Sequence, residues 1–430
     1  MNIKERIIDL FSQYEYGKYS NIALNEYFRE NPNLPIKEKS FITEVFYGII
    51  RKQMLLEYIL RTYTKKIQYP WLKNLLRLSL YQGLFMDSDE KGVVWEAVEL
   101  AKNKYDNKVA NFVNGVLRKV FREKDDIFNS LSNKKEYLLY SYPKWFYNKI
   151  KSDYPKNYKE ILKTLKETPY LSVRINKLKY SEQEFLNLLD KLNIKILKQV
   201  NSVYYLSDGR ILNTDEFKSG KITVQDASSY IAAKNLNANE NERILDACSA
   251  PGGKSMVIAE SMNNTGEVIS LDIHEHKIKL IKNNAENMGI KNVYPILKDA
   301  TKINELNGEF DRILVDAPCS GFGVIRKKPE AIYNKTISNV EELAKLQLDI
   351  LNAASEKLKT NGILVYSTCT ITKEENTANI RKFLETHPNF TVIESDIPKN
   401  VNYIKDKYNG INIFDDFLDA FYIIKMQKKY

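Results

Sequence analysis

From Val224 to the carboxyl terminus, short apolar runs alternate with helical stretches, and each apolar run stops abruptly at polar residues. Arg243-Ile-Leu-Asp-Ala247, Glu267-Val-Ile-Ser-Leu271, Asn292-Val-Tyr-Pro-Ile296, Arg312-Ile-Leu-Val-Asp316 and Gly362-Ile-Leu-Val-Tyr-Ser367 read as buried strands. Helical spacing intervenes at about 254–261, 274–287 and 340–358. This βαβ rhythm predicts a doubly wound α/β domain around a parallel sheet over 223–430. Ligands of such sheets sit beyond the carboxyl ends of the strands, so the residues after each run are where chemistry is to be sought.

The first run continues into Asp246-Ala-Cys248-Ser249-Ala250-Pro251-Gly252-Gly253-Lys254-Ser255. Paired glycines let the backbone turn tightly and approach a ligand before a helix begins. The spacing fits neither GxxxxGK[ST] nor GxGxxG. The second run ends at Asp272, about 20 residues on, where nucleotide-binding α/β folds place a carboxylate on ribose hydroxyls. A helix N-cap is the other use of such an aspartate. Asp299 closes the third run in the same way. Three ligand-facing positions in series point to an adenosine-containing cofactor without a triphosphate.

The fourth and fifth runs end in Asp316-Ala-Pro-Cys319-Ser320 and Ser367-Thr-Cys369-Thr370. Isolated cysteines are usually inert buried thiols, but two of the chain's three stand at strand ends beside a carboxylate and hydroxyls. A thiol is the group required when the target is carbon 5 of a pyrimidine. That carbon becomes nucleophilic only after a thiolate adds at carbon 6 and turns the ring into an enamine. A carboxyl group within reach, Asp316, can assist at N3. The cysteines are too widely spaced for a disulfide framework or a CxxC metal knuckle. His274, His276 and His387 suggest neither a metal site nor a histidine base.

Upstream, residues 1–125 show apolar positions at three- and four-residue spacing with proline confined to joints, which predicts an all-α bundle. The charged stretch Glu123 to Lys135 reads as a linker. Residues 136–222 mix a helix at 145–165 with strands at 171–175 and 202–206, a small α+β module. The net charge of +10, from 65 basic and 55 acidic residues, is uneven: +4 over 1–130, +7 over 131–240 and −1 over 241–430. A polyanion is therefore drawn to the first two segments, with the third left for chemistry. The amino-terminal residues have no signal-peptide core, and the most apolar stretch, Leu75 to Met86, is too short for a bilayer and interrupted by Arg77.

DACSAPGGKS, DAPCSGFGVIRKKPE and STCT together resemble the motifs of the NOL/NOP/Sun-type RNA cytosine-5 methyltransferases. The segments Phe41 to Arg51, Tyr81-Gln-Gly83, Glu96 to Lys102 and Phe112-Val-Asn-Gly-Val-Leu-Arg118 resemble a NusB-like RNA-binding domain, a pairing characteristic of bacterial enzymes that act on 16S ribosomal RNA. The resemblance spans essentially the whole chain. It implies a multidomain architecture of NusB-like bundle, α+β module and Rossmann-like methyltransferase domain. It further implies Cys369 as nucleophile and Cys319 as the thiol that helps break down the adduct. The loop from Cys248 to Lys254 would hold S-adenosylmethionine (S-adenosyl-L-methionine), with Asp272 on its ribose, Asp299 near its adenine and Asp316 between cofactor and base.

Lys373 and the run Asp419-Ala-Phe-Tyr422 depart from the commoner family residues and bear on loop geometry alone. Arg174-Ile-Asn176 and Gln225 to Ser229 match segments expected to frame an RNA-facing entrance. The expected partner is 16S ribosomal RNA or a small-subunit assembly intermediate, and the expected state is a cytoplasmic monomer without metal or membrane attachment. Two rival readings stay open at this stage. DNA-type cytosine methylases take their nucleophile from the fourth-strand cysteine, and a NusB-like RNA-binding factor could carry a relic methylase domain. Methylation of another RNA is a further variant of the main reading.

Overall fold

The computed structural model describes residues 2–14 and 19–430, without the side chains of 133 and 134. The chain forms two compact units. One comprises residues 1–166 together with Ile325–Asn334, and the other comprises Glu167–Val324 together with Lys335–Tyr430.

The first unit is helical: α1 (Ile3–Tyr14), α2 (Ser20–Glu30), α3 (Ile36–Arg51), α4 (Gln53–Tyr63), α5 (Pro70–Phe85), α6 (Glu90–Lys104), α7 (Asn107–Arg122), α8 (Lys124–Lys134), α9 (Glu136–Leu139), α10 (Lys144–Asp153) and α11 (Tyr158–Thr164). α5 is its central rod. Leu72, Leu75, Leu76, Leu78 and Leu80 are buried around its circumference and pack against α1, α3, α4, α6 and α7. Such an all-round apolar helix belongs inside a bundle. Arg77, which interrupts this run, is buried too, and donates to Glu57 at 2.7 Å and to Asn74 at 2.8 Å. Asp89 and Asp106 cap α6 and α7 by accepting from backbone N–H groups of their first turns.

The stretch expected as a linker is helix α8, because Leu131 buries itself in the bundle core while Asp125 and Asp126 stay exposed. The single helix expected over 145–165 is broken into α10 and α11 at the turn after Asp153, and both cluster with the bundle.

The second unit begins with a four-stranded antiparallel sheet of order β2-β3-β1-β4, built from β1 (Leu171–Ile175), β2 (Ile196–Val200), β3 (Val203–Leu206) and β4 (Ile222–Val224). Helix α12 (Glu182–Leu192) packs on it, opened by a Ser181/Glu184 capping box and closed by Asn193 in the left-handed region. A short helix, α13 (Asp215–Lys218), precedes β4. β2 escapes the sequence reading because its burial does not alternate: Ile196 and Leu197 are exposed on an edge strand.

The remainder is the expected doubly wound sheet with an antiparallel extension. After α14 (Ala227–Lys234) come β5 (Arg243–Asp246), α15 (Gly253–Ser261), β6 (Glu267–Asp272), α16 (Glu275–Met288), β7 (Val293–Leu297), β8 (Phe310–Asp316), α17 (Ile337–Glu356), β9 (Leu358–Thr368), α18 (Thr377–Thr386) and β10 (Phe390–Ile393). β11 (Tyr403–Lys405), β12 (Ile411–Ile413) and β13 (Phe421–Lys428) complete it. The order is β11-β12-β13-β9-β8-β5-β6-β7, with β10 also on β13. β7, β6, β5, β8 and β9 are mutually parallel, and every pairing of β10 to β13 is antiparallel.

Period two sorts the strand residues into two cores. Ile244, Leu314, Val365 and Ile423 enter one, while Leu245, Ile313, Val315, Leu364 and Tyr366 enter the other. Burial on both faces is why these strands read as continuous apolar runs. Each such side chain contributes about 1.5–3 kcal/mol. The chain order reverses between β5 and β8, so their carboxyl ends flank the switch point where a ligand crevice opens.

Candidate active site

Across the carboxyl ends, in the order β9, β8, β5, β6, β7, stand Cys369, then Asp316 and Cys319, then the loop after Asp246, then Asp272, then Asp299. The fold thus brings the candidate catalytic and cofactor-binding residues to one edge of one sheet.

The two thiols lie side by side, with Cys319 Sγ 3.2 Å from Cys369 Sγ. All three cysteines are free. The contact between the thiols holds the Cys369 pKa below the usual thiol value and drives that of Cys319 up, with burial adding to the rise at Cys319 and the nearby Lys254 ammonium assisting Cys369. Asp316 accepts from Lys254 Nζ at 2.7 Å on one oxygen and from Ser367 Oγ at 2.7 Å on the other. Burial works against the Lys254 charge, but the Asp316 carboxylate more than offsets it and leaves the ammonium pKa raised.

A residue that sequence reasoning passed over ties the two thiol loops together. Glu375 is fully buried. Its Oε1 accepts from the Ser320 backbone N–H at 2.7 Å and from Gln347 at 3.0 Å, and its Oε2 accepts from the hydroxyls of Ser320 and Thr372, each at 2.6 Å. Gln347, on α17, also donates to the Pro318 carbonyl at 2.9 Å. Asn376 donates to the Thr370 carbonyl at 3.0 Å. One carboxylate therefore fixes the residue after Cys319 and, through Thr372, the loop after Cys369. The only sequence signal was the polar run Thr372 to Asn376, which looks like a solvated loop.

At the switch point Asp246 is fully buried. Its Oδ2 accepts from Ser255 Oγ at 2.6 Å, and Ser270 Oγ donates to Ser255 at 3.0 Å. Its Oδ1 is buried without a hydrogen-bond partner among the described residues. Burial pushes this carboxyl up to about 7, against the Ser255 hydrogen bond and with help from Asp316. Burial and the same carboxylates push the Cys248 thiol up. Ser249 donates through both N–H and Oγ to the Leu271 carbonyl. Gly252, at φ +102°, makes the left-handed turn that starts α15, a conformation side chains rarely adopt.

Asp272 Oδ1 accepts from the His274 N–H at 2.9 Å, and Lys277 Nζ lies 3.6 Å from Oδ2. Asp299 is exposed, and its Oδ1 caps a turn by accepting from Thr301 N–H at 2.9 Å and Thr301 Oγ1 at 2.8 Å. An S-adenosylmethionine site fits this edge: Asp246 Oδ1 lacks a donor partner, and the acidic turns stand where a ribose and an adenine need hydrogen-bond partners.

Arg174 and Asn176 do not frame an entrance. Arg174 is 1% exposed, donates from Nε to Gln225 Oε1 at 2.5 Å and from Nη1 to both carboxylate oxygens of Glu260 at 2.5 and 2.6 Å. Gln225 passes the restraint on by donating to the Gly253 carbonyl at 3.2 Å. Asn176, also buried, donates to the carbonyls of Gly220 and Met288. A buried guanidinium persists only when paired in this way, so these motifs brace the first turn of α15 from beneath. The run Asp419 to Tyr422 likewise differs from expectation, since β13 starts only at Phe421.

The sheet, its switch-point crevice and the thiol pair define an S-adenosylmethionine-dependent methyltransferase, and comparison with known proteins narrows the class. Residues 233–427 match the 16S rRNA methyltransferase RsmB/F family, residues 1–122 the NusB family, and residues 142–206 the ferredoxin-like domain of RsmF/B-like methyltransferases. The chain is 37% identical to the "Probable ribosomal RNA small subunit methyltransferase B" of Bacillus subtilis (strain 168), over 96% of this chain and 95% of that protein. It is 31% identical to ribosomal RNA small subunit methyltransferase B of Yersinia enterocolitica, over 84% and 85%. The crystal structure of PH0851 superposes with a TM-score of 0.81 at 27% identity, covering 100% of this chain and 99% of that one. The chain belongs to the RsmB/F family of 16S ribosomal RNA methyltransferases. Among the described residues no helix is long and apolar enough to cross a membrane.

Proposed function

We propose that the enzyme methylates carbon 5 of a cytosine in 16S ribosomal RNA through a covalent protein–cytosine adduct. In this division of labour residues 1–125 hold RNA, 136–222 support the RNA side of the site, and 223–430 bind the cofactor and carry the chemistry, in the cytoplasm where ribosomes assemble. The observation that carries the reading is the thiol pair, 3.2 Å apart with Cys369 the more acidic.

Cys369, as thiolate, adds to carbon 6, and the carbon 5–carbon 6 π pair moves toward carbon 5 and the N3 side of the ring. Asp316 assists at N3, while Lys254 and Ser367 fix the carboxyl in place. S-adenosylmethionine, when bound, supplies the electrophilic methyl group that carbon 5 takes up. The Cys248 to Lys254 loop and Asp246 hold the amino-acid end of the cofactor, Asp272 its ribose and Asp299 its adenine. Cys319, kept protonated beside the Cys369 thiolate, gives its proton to solvent once that charge is consumed in the adduct, and as a thiolate takes the carbon 5 proton. The electron pair released expels the Cys369 sulfur from carbon 6 and restores the aromatic ring.

The roles separate in one experiment. With 16S RNA and S-adenosylmethionine, Cys319→Ala should accumulate a denaturation-resistant protein–RNA band, and Cys319→Ala combined with Cys369→Ala should not. Cys369→Ala alone should abolish turnover while sparing cofactor binding measured by calorimetry. An adduct that needs Cys319 and survives loss of Cys369 would reverse the assignment to the DNA-type arrangement.

A further inference from the structure

Within the helical unit, α6 and α7 pack against each other, and Val94, Ala97 and Ala101 of α6 and Val113, Val116 and Leu117 of α7 are buried. On the solvent side of this pair lies a groove of about 650 Å³ with Val94, Val98 and Phe121 in its lining. Trp95 also lines it, 67% exposed, and among the described residues its ring has no stacking or hydrogen-bonding partner. Lys91, Arg118 and Arg122 line it as well. Among the described residues the side chains of Lys91 and Arg118 have no ion-pair or hydrogen-bond partner. The acidic group of the groove, Glu90, is already paired with Lys124 at 2.6 Å.

The charge pattern of α7 is one-sided. Its sequence holds Lys108, Arg118, Lys119 and Arg122 and no acidic residue. Lys108, Asn111, Gly115, Arg118 and Arg122 recur at three- and four-residue steps on one exposed face. Gly115 sits in mid-helix, where glycine is destabilising relative to alanine. Nothing within 4 Å would meet a Cβ there, so internal packing does not require it. A smooth cationic face beside a bare indole is what a polynucleotide strand needs: phosphates meet cations, a base meets a π face, and a missing side chain lets the backbone come close.

Resting on the membership of an RNA-methylating family, and going beyond it, we propose that the α6/α7 groove seats a single-stranded segment of ribosomal RNA. One unpaired base stacks on Trp95, and the flanking phosphates lie on Arg118, Arg122 and Lys91. The chemistry favours RNA over a protein partner, because Lys91, Arg118 and Arg122, the last also 3.3 Å from Glu123, surround Trp95, the one exposed aromatic ring of the groove.

The test uses the full chain without cofactor and a fluorescein-labelled, 12-nucleotide single-stranded oligoribonucleotide, followed by anisotropy across a salt series. Trp95→Ala should weaken binding about ten-fold, and Trp95→Phe should recover most of that loss. Combined Arg118→Gln and Arg122→Gln should reduce the log–log salt slope by about 1.4, from about 0.7 per phosphate contact on a single strand. Gly115→Ala should raise Tm yet weaken RNA binding, a combination that a purely structural glycine does not give. RNA should quench a component of tryptophan emission that Trp95→Phe lacks, and S-adenosylmethionine affinity should be unchanged in every variant. Unaltered affinity and salt slope in both the Trp95→Ala and the double arginine variant would overturn the proposal. So would a Trp95→Ala variant that binds RNA normally but changes self-association in sedimentation, which would make the groove a protein surface. Methylation at a position other than carbon 5 would sink the adduct chemistry and leave these binding results untouched, so the two failures are distinguishable.

Discussion

The two ends of the catalytic edge are built on opposite physical plans. At β8 and β9 the loops that carry Cys319 and Cys369 are fastened by buried groups: Glu375 with its five donors, Gln347, Asn376 and the Lys254–Asp316 pair. At β6 and β7 the acidic residues are held by local turns, Asp272 on the His274 N–H and Asp299 on Thr301. Between them, at the switch point, Asp246 is buried but only half satisfied. The gradient follows what each end must do. Bond making at a carbon tolerates little displacement of a sulfur atom, whereas an adenosine can be held by acceptors that share their time with water. Substitutions should therefore matter less and less along the order β9, β8, β5, β6, β7.

The largest effect outside the thiols themselves belongs to Glu375. Glu375→Ala removes the buried acceptor of the Ser320 N–H and the Thr372 hydroxyl, and takes one partner each from Gln347, Ser320 Oγ and Thr370, at a cost of about 3–5 kcal/mol of stability. Glu375→Gln preserves the shape but puts one donor against another. We expect it to remain folded, bind cofactor normally and form the cytosine adduct about 10- to 100-fold more slowly, because Glu375 positions the thiols without touching substrate. Urea melts and single-turnover adduct formation measure the two effects. Wild-type adduct kinetics in Glu375→Gln would erase the contrast between the two ends.

Asp246 should show its intermediate standing through pH. Its folded-state pKa, raised to about 7, lies above the unfolded carboxylate value of about 3.9. The folded protein therefore binds more protons between those limits, and the stabilising contribution is complete below about pH 4 and lost as pH rises through about 7. Cofactor binding should run the other way. A cationic amino group placed at Oδ1 needs the ionised carboxylate, so S-adenosylmethionine affinity should rise between pH 5.5 and 7.5, by at most about ten-fold per pH unit. Asp246→Asn should flatten both profiles. Calorimetry across this range, with thermal melts of the free protein, decides the matter, and a pH-independent affinity in the unaltered enzyme would remove Asp246 from the cofactor site.

Which parts of this gradient were legible in the sequence follows from how each part is stabilised. Strand ends were visible because strands buried on both faces are continuous apolar runs that must stop at polar residues, and the chemistry sits at the stop. Glu375 was not, since a carboxylate satisfied by hydroxyls from its own loop is written in the same letters as a solvated turn. The expectation that Arg174 frames an entrance rests on a match to family segments, and its burial is set by the distant Glu260, which the sequence does not link to it. The second half of the motif that begins at Asp316 was the least legible. Ile325 to Asn334 clusters with the helical unit, where Glu330 accepts from Ser20 Oγ at 2.7 Å, Arg51 donates to the Arg326 carbonyl at 3.0 Å and Lys166 donates to Tyr333 Oη at 2.9 Å. Contacts across some 300 positions leave no local periodicity to read.

The finest test lies at the shallow end, between Asp272 and Asp299. Both end a parallel strand and both accept a backbone N–H two residues on, so as caps they are equivalent, and removing either should lower stability by about 1 kcal/mol. They differ in what remains for a ligand. Asp272 is mostly covered and stands on β6 two residues beyond Ser270, the register partner of the buried Asp246, where a carboxylate hydrogen bond to a ribose is shielded from water. Asp299 is exposed, with both Thr301 donors on Oδ1, which leaves Oδ2 in solvent for the adenine amino group. Asp272→Ala should therefore weaken S-adenosylmethionine binding by about 1.5–3 kcal/mol, and Asp299→Ala by well under 1 kcal/mol, with Asp299→Asn keeping the cap and restoring stability. Equal losses of cofactor affinity in the two alanine variants, measured under one buffer by calorimetry, would show that burial does not grade this edge and that both acidic turns grip the adenosine alike.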